Sequence, residues 1–314
     1  MSVEPRRPLL ALVGPTAVGK TAVSLTLARR FGGEIVSADS RLFYRGMDIG
    51  TAKPTRDERA LAPHHLIDLS APDETISLGQ FQRLAYGAID DVLARGRLPI
   101  LVGGTGQYVM AIVEGWGVPE VAPRPALRAA LEALGGAAVA RWLTALDPAA
   151  AARIDPRNVR RVVRALEVTL VSGRRMSELQ RKTPPPYDIF LLGLRRDRAA
   201  LYARIDARVE AMMAAGLLEE VRRLRDAGYA DQPPLSGLGY RQLLAHLRGE
   251  LSLDEAVARI QFETHRFARQ QATWFRADDP RIAWFDADDG AAIVSAVAAW
   301  LSTDRRPPTA DDRP

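Results

Sequence analysis

Leu9-Leu10-Ala11-Leu12-Val13 runs directly into Gly14-Pro15-Thr16-Ala17-Val18-Gly19-Lys20-Thr21, and a helix-like stretch follows to Phe31. An apolar strand, a glycine loop and a helix form the setting in which a G-x-x-x-x-G-K-[ST] pattern holds phosphate. The glycines let backbone N–H groups turn inward, and the first helical turn adds unpaired N–H groups at the positive end of its dipole. Lys20 is placed to neutralise a terminal phosphate, and the Thr21 hydroxyl to reach a Mg²⁺ ion. The plainer alternative is a glycine turn that only joins strand to helix. The pattern marks a phosphate or diphosphate site and leaves the reaction open.

The chain has 314 residues, 47% of them hydrophobic, with a formal charge of +5. This suits one large globular domain or two modest ones. No apolar run reaches the length of a membrane span, so no membrane partner is expected. Residues 1–8 carry Pro5 and Pro8 and do not read as a signal peptide. The absence of cysteine excludes disulfides and thiolate metal sites and fits a cytoplasmic protein. The basic excess admits an anionic partner. Lys20, Lys53 and Lys182 are the only lysines, so a compact ammonium is kept at the phosphate loop while arginine supplies the other cations.

Glu34–Ser37 and Leu98–Val102 read as further buried strands, followed by Ala38-Asp39-Ser40-Arg41 and Gly103-Gly104-Thr105-Gly106. In a parallel α/β sheet such loops share one edge, where ligands bind. Asp39 is therefore expected near the phosphate loop, able to hold a metal or take a proton, unless it only caps a turn. Thr105 offers the one hydroxyl of its loop. The segment from Tyr44 to Pro54 lacks periodicity and reads as a long functional loop. His64-His65 is a poor metal pair, because neighbours on an extended chain face opposite ways.

The character changes between Trp116 and Pro125, and residues 126–182 read as helices only. One of them, Asn158–Val171, has an apolar stripe of Val159, Val162, Val163, Leu166 and Leu170. Arg157, Arg160, Arg161 and Arg164 crowd its other faces, with few acids in opposition, which points to phosphate-backbone binding rather than a mixed solvated surface. After Pro184-Pro185-Pro186 the chain returns to the sheet through Ile189–Leu194 and Ile282–Phe285. Arg204 and Arg208 share one helical face at i, i+4 spacing, as do Asp206 and Glu210, and these charges read as members of surface salt bridges. Ser236–Arg241 is a glycine loop ending in Tyr240 and Arg241, suited to stacking on a splayed nucleotide. The aromatics Phe262, Phe267, Trp274 and Phe275 of a long helix from Leu253 are expected mostly in the core. The predicted organisation is a core over 1–119, a helical insertion over 120–185, a second core part over 186–302 and a disordered tail over 303–314.

Taken together, Gly14–Thr21, Ser37–Ser40, Tyr44–Pro54, Leu101–Gly106, Arg164–Glu167, Gly239–Arg241 and Arg266–Arg276 closely resemble the bacterial tRNA dimethylallyltransferases, from about Leu9 to Asp286. The resemblance implies an α/β fold, with a P-loop NTPase-like parallel sheet core and an all-helical insertion domain that grips the tRNA anticodon stem-loop. It implies transfer of a dimethylallyl group from dimethylallyl diphosphate to the exocyclic amine of the adenosine 3′ of the anticodon. Lys20, Thr21 and Thr16 would then hold the diphosphate with Mg²⁺ as cofactor, Asp39 would be the general base, and Arg208 looks like the family arginine near the diphosphate. Thr105 and Arg128 are similar to positions that contact the target nucleotide and the tRNA. Segments Asp39-Ser40-Arg41-Leu42, Arg160–Arg164 and Ser236–Arg241 match the family's tRNA contacts. Arg269-Gln270-Gln271 departs from the usual Lys-Arg-Gln, so no role is placed on Gln270. Without cysteine there is no zinc extension of the eukaryotic kind, and nothing demands more than a monomer.

Two rivals share the motif: a P-loop kinase of a nucleoside or small metabolite, and a non-catalytic RNA-binding protein. The third strand signal ends in Gly103-Gly104, not in the acid that holds Mg²⁺ in many phosphoryl-transfer enzymes. A kinase also has no evident use for the basic insertion. Lys20, Thr21, Asp39 and Thr105 together argue against a mere binding module.

Overall fold

The computed structural model describes residues 7–303. The chain forms two compact units: one runs through Val113 and resumes at Pro186, and the other is Glu114–Pro185. The expected disordered tail lies outside the described residues except for Thr303.

In the first unit, β1 (Pro8–Val13), β2 (Gly33–Ser37), β3 (His64–His65), β4 (Leu98–Gly103), β5 (Asp188–Arg195) and β6 (Ile282–Asp286) form one sheet in the order β3-β2-β4-β1-β5-β6. All pairs are parallel, with Leu10 opposite Ile100 on one side and Phe190 on the other. Helices cover both faces, so the inner strands are apolar through their middles, as buried parallel strands are, and polar residues such as Glu34 of β2 and Asp188 and Arg195 of β5 stand toward their ends. Leu10, Leu12, Ile100, Leu192 and Leu194 have no exposed surface. Leu25, Leu27 and Ala28 of the helix Lys20–Phe31 pack on this core, as do Ile293, Val297 and Trp300 of Gly290–Ser302. The short β3 has no room for alternation, which is why its histidines do not announce a strand. His65 contacts Glu34 through Nε2 at 2.7 Å, and His64 Nδ1 meets the Ala62 carbonyl at 2.8 Å.

Because β2, β4 and β1 are neighbours in one direction, the loops after them leave from the same edge. Gly14 starts the phosphate loop at φ 146, and a Cβ there would stand 2.7 Å from the Leu194 carbonyl oxygen. Only glycine lets the chain leave β1 this close to β5. The next helix has Gly19 as its N-cap with no side-chain hydrogen bond, so its first-turn N–H groups have no capping oxygen.

The second unit consists of the helices Pro125–Ala133, Gly136–Leu146, Pro148–Ala151, Val159–Ser172 and Met176–Leu179. Leu131, Val139, Leu143, Val162, Val163 and Leu166 form its core. Glu167 lies fully buried inside it. Burial alone would raise its carboxyl, but hydrogen bonds from Arg128, the Arg124 N–H and Arg164 outweigh this and hold it at about 2. Arg128 gives Nε and Nη2 at 2.9 and 2.8 Å, and Arg164 gives Nη1 at 2.5 Å. Arg157 pairs with Asp155. The arginine face expected on this helix is thus divided. Arg128 and Arg164 hold the unit together, while Arg160 and Arg161 are exposed and carry no side-chain partner among the described residues.

Candidate active site

Two clefts of about 1200 and 780 Å³ open at the sheet edge of the first unit. Thr16, Lys20, Asp39, Gly104 and Arg208 line both, so the clefts meet at these residues. Thr21 and Leu42 face the larger one, and Ser40, Arg41, Thr105, Gly239 and Arg241 the smaller. Ala17 lines both and takes φ +62, an uncommon conformation for a residue with a Cβ. Gly19 lines the larger cleft, while Val18 points its side chain into the core.

Lys20 Nζ donates to the Gly14 and Pro15 carbonyls at 2.9 and 2.8 Å. Burial drives its ammonium down to about 8; Asp39 opposes that shift, and Arg208 adds to it. Arg208 is itself lowered by burial, with Asp39 again opposing. One carboxylate therefore stands among two desolvated cations, a site short of negative charge. Asp39 Oδ1 accepts from the Arg41 N–H at 2.9 Å, which fixes the carboxylate without covering it. Arg41 in turn donates Nη1 to the Pro234 carbonyl at 2.8 Å. The Thr105 carbonyl accepts from the Tyr108 and Val109 N–H groups and starts the helix Gly106–Val113. No cluster of three His, Asp or Glu able to hold a metal exists among the described residues. A Mg²⁺ ion would have to be shared with substrate phosphates, which is the ion's ordinary habit. The Thr21 hydroxyl, at the larger cleft and with no hydrogen bond among the described residues, suits one place in such a shell.

Three expectations need correction. Tyr240 cannot stack on a nucleotide: it is 1% exposed, and its hydroxyl donates to Glu220 Oε1 at 2.7 Å. Arg241 is paired with Glu263. The spacing at 204–210 does not make surface ion pairs either. Arg204 Nε donates to the Ala17 carbonyl at 3.1 Å, and Asp206 meets His265 at 2.8 Å. Of the aromatics expected in the core, Phe275 is buried, but Phe262 is 65% exposed.

Two residues that the motifs do not reveal hold the site in shape. Gln271 is buried; its Oε1 accepts from the Thr16 N–H at 2.8 Å, and its Nε2 donates to the Gly104 carbonyl at 2.7 Å. Glu220, also buried, accepts from the N–H groups of Asp48, Ile49 and Gly50 at 2.9, 2.8 and 3.1 Å. Lys53 completes the same loop, reaching Asp48 at 2.5 Å and Asp68 at 2.6 Å. Nothing in the sequence singles out Glu220, which stands beside Glu219 on a helix of mixed charge, Leu217–Asp226. Glu220→Ala leaves three backbone donors and a buried tyrosine hydroxyl without their acceptor. The expected loss is about 3 kcal/mol or more of stability, read as a lowered urea midpoint at unchanged slope.

The comparisons agree with this geometry. Residues 42–278 match the IPP transferase family. The tRNA dimethylallyltransferase of Roseiflexus sp. (strain RS-1) is 59% identical over 274 residues, 86% of this chain and 90% of that protein. That of Thermomicrobium roseum is 54% identical over 286 residues, 90% and 87% of the two chains. The crystal structure of the full-length tRNA isopentenylpyrophosphate transferase from Bacillus halodurans superposes with a TM-score of 0.71 at 40% identity, covering 95% of this chain and 96% of that one. A eukaryotic dimethylallyltransferase, solved in snapshots of its action on tRNA, gives a TM-score of 0.83 at 26% identity over 96% and 82% of the two chains. A phosphate loop, a facing carboxylate and a glycine-threonine loop on one sheet edge, in a sequence this close to those enzymes, lead to one conclusion: the chain belongs to the IPP transferase family.

Proposed function

We propose that the protein transfers the dimethylallyl group of dimethylallyl diphosphate to the exocyclic amine of the adenosine next to the tRNA anticodon on its 3′ side. The observation that carries this reading is the pair of clefts meeting at Lys20, Asp39 and Arg208. A diphosphate entering one cleft and a base entering the other would face each other across Asp39. The adenine nitrogen attacks the first carbon of the prenyl chain, the carbon–oxygen bond breaks, and the diphosphate leaves with the electron pair. Asp39 takes the proton from the amine. Backbone N–H groups of the loop, Lys20 and Arg208 stabilise the charge that grows on the leaving group. Thr21 would help to hold a Mg²⁺ ion, which when bound would supply further neutralisation of charge. Thr105 borders the cleft for the target base, and the base must leave its stack to arrive there. Arg160 and Arg161 supply unpaired cations for the anticodon stem-loop backbone. The enzyme acts as a monomer in the cytoplasm.

The test incubates the protein with Mg²⁺, dimethylallyl diphosphate and unmodified tRNA carrying adenines 3′ of its anticodon. Mass spectrometry of the digested tRNA is expected to find one prenyl group on a single adenosine. No product, with phosphate passing from ATP to a small acceptor instead, overturns the reading in favour of a kinase.

A further inference from the structure

The helix Leu253–Gln271 carries Phe262, Arg266 and Gln270 at four-residue steps, and Trp274 follows at the same interval just past its end. Four-residue steps keep side chains on one face, about 6 Å apart along the axis. All four residues line the smaller cleft, together with Asp39 and Thr105. Phe262 is 65% exposed and Trp274 38% exposed. An aromatic ring that open forfeits most of the transfer free energy of burial, so the core gives no reason for Phe262. Trp274 sits directly over the Thr105 loop. A Cβ on Gly106 would lie 2.2 Å from its indole, so the ring packs against bare backbone. Arg266 is exposed and has no side-chain partner among the described residues.

The charge around this stripe selects the occupant. Lys20, Arg41, Arg208, Arg241 and Arg266 line the cleft against Asp39 and Glu263. Glu263 is already taken by Arg241 and by Gln242 at 3.0 Å. A protein surface with acidic side chains could meet the charge, but flat, exposed rings alternating with a free guanidinium match unpaired nucleobases on a phosphate chain.

We infer that Phe262, Arg266 and Trp274 form a stacking platform for the bases that flank the target adenine, holding the opened loop while that base enters toward Asp39. The inference rests on the prenyl-transfer reading and adds the residues that bind the rest of the loop. Ring and guanidinium faces are indifferent to sequence, so the platform contributes affinity and posture rather than base identity.

The probe is an anticodon stem-loop RNA with 2-aminopurine beside the target adenine, and a second copy with an abasic residue at that place. The native protein is expected to quench the fluorescence on binding and to bind the abasic RNA more weakly. Phe262→Ala is expected to abolish the added quenching and to weaken binding of the intact RNA by about 10- to 100-fold. It should bind intact and abasic RNA alike, hold a non-reactive alkyl diphosphate as the native protein does, and raise KM for RNA more than it lowers kcat. Phe262→Trp is expected to restore quenching and KM. Folding is not at issue, since the ring is mostly in solvent. If the native protein prenylates this RNA but Phe262→Ala matches it in quenching and KM, or loses affinity equally for both RNAs, the platform is overturned and the reaction stands. If the native protein prenylates neither this RNA nor whole tRNA, the reaction itself has failed.

Discussion

Asp39→Ala is expected to lower the rate of prenyl transfer by about 10²–10⁴-fold, the usual worth of a positioned general base. An exocyclic amine conjugated to a purine is a poor nucleophile, and it gains strength in the transition state only as its proton departs. Asp39 stands where the two clefts meet, and its carboxylate is steadied by the Arg41 N–H at 2.9 Å. The loss should fall on kcat, not on diphosphate affinity. Removing a negative charge beside Lys20 and Arg208 does not weaken their hold on an anion. Asp39→Asn keeps the shape and loses the base, so it should fall nearly as far, while Asp39→Glu should recover part of the rate. Single-turnover transfer, with separate titration of a non-reactive alkyl diphosphate, separates the two effects. A variant that keeps native single-turnover rates would remove Asp39 from the chemistry.

The second large effect is expected at Lys20. Lys20→Met takes one preorganised cation from the leaving group, worth about 10²–10³-fold in rate at a desolvated site. It also makes a prediction about pH. Burial brings the ammonium to about 8 in the free protein. A bound diphosphate favours the charged form and raises that value again. Between the free and bound values, binding takes up a proton. Affinity for an alkyl diphosphate is therefore full below pH 8 and falls above it, approaching tenfold per pH unit. The ligand's own second ionisation, near pH 6 for a phosphate monoester, is complete by then. Calorimetry in buffers of different ionisation enthalpy should record this proton uptake for the native protein and none for Lys20→Met. A native affinity that is flat from pH 7 to 9.5 would contradict it.

What the sequence makes legible here is what is local. β1 and β4 are unbroken apolar runs, β2, β5 and β6 carry apolar runs within their bounds, and the loops that follow β1, β2 and β4 carry Lys20, Asp39 and Thr105 by adjacency alone. A parallel sheet converts that adjacency into a shared edge. Contacts made across the chain are different in kind. Gln271 stands 255 positions from Thr16, and Glu220 stands 170 from Gly50. No periodicity joins such pairs, and their side chains read as ordinary polar residues on helices. Tyr240 was misleading for the same reason. An aromatic beside glycines suggests stacking until its distant acceptor, Glu220, is seen. Phe262 erred in the opposite direction, because a helix rich in aromatics suggests a core unless the cleft beside it is known.

Gln271 sets the gauge of the crevice. One carboxamide spans from the backbone that would cradle the leaving group to the backbone that precedes Thr105. The separation between the departing group and the incoming base is thereby tied to the length of a single side chain. Its two ends are not alike: one accepts and the other donates. A glutamate there would match Thr16, lose Gly104, and set a negative charge beside the phosphate loop. The reaction's tolerance in distance is in this sense a property of an amide that bridges two loops and takes no part in the bond that forms.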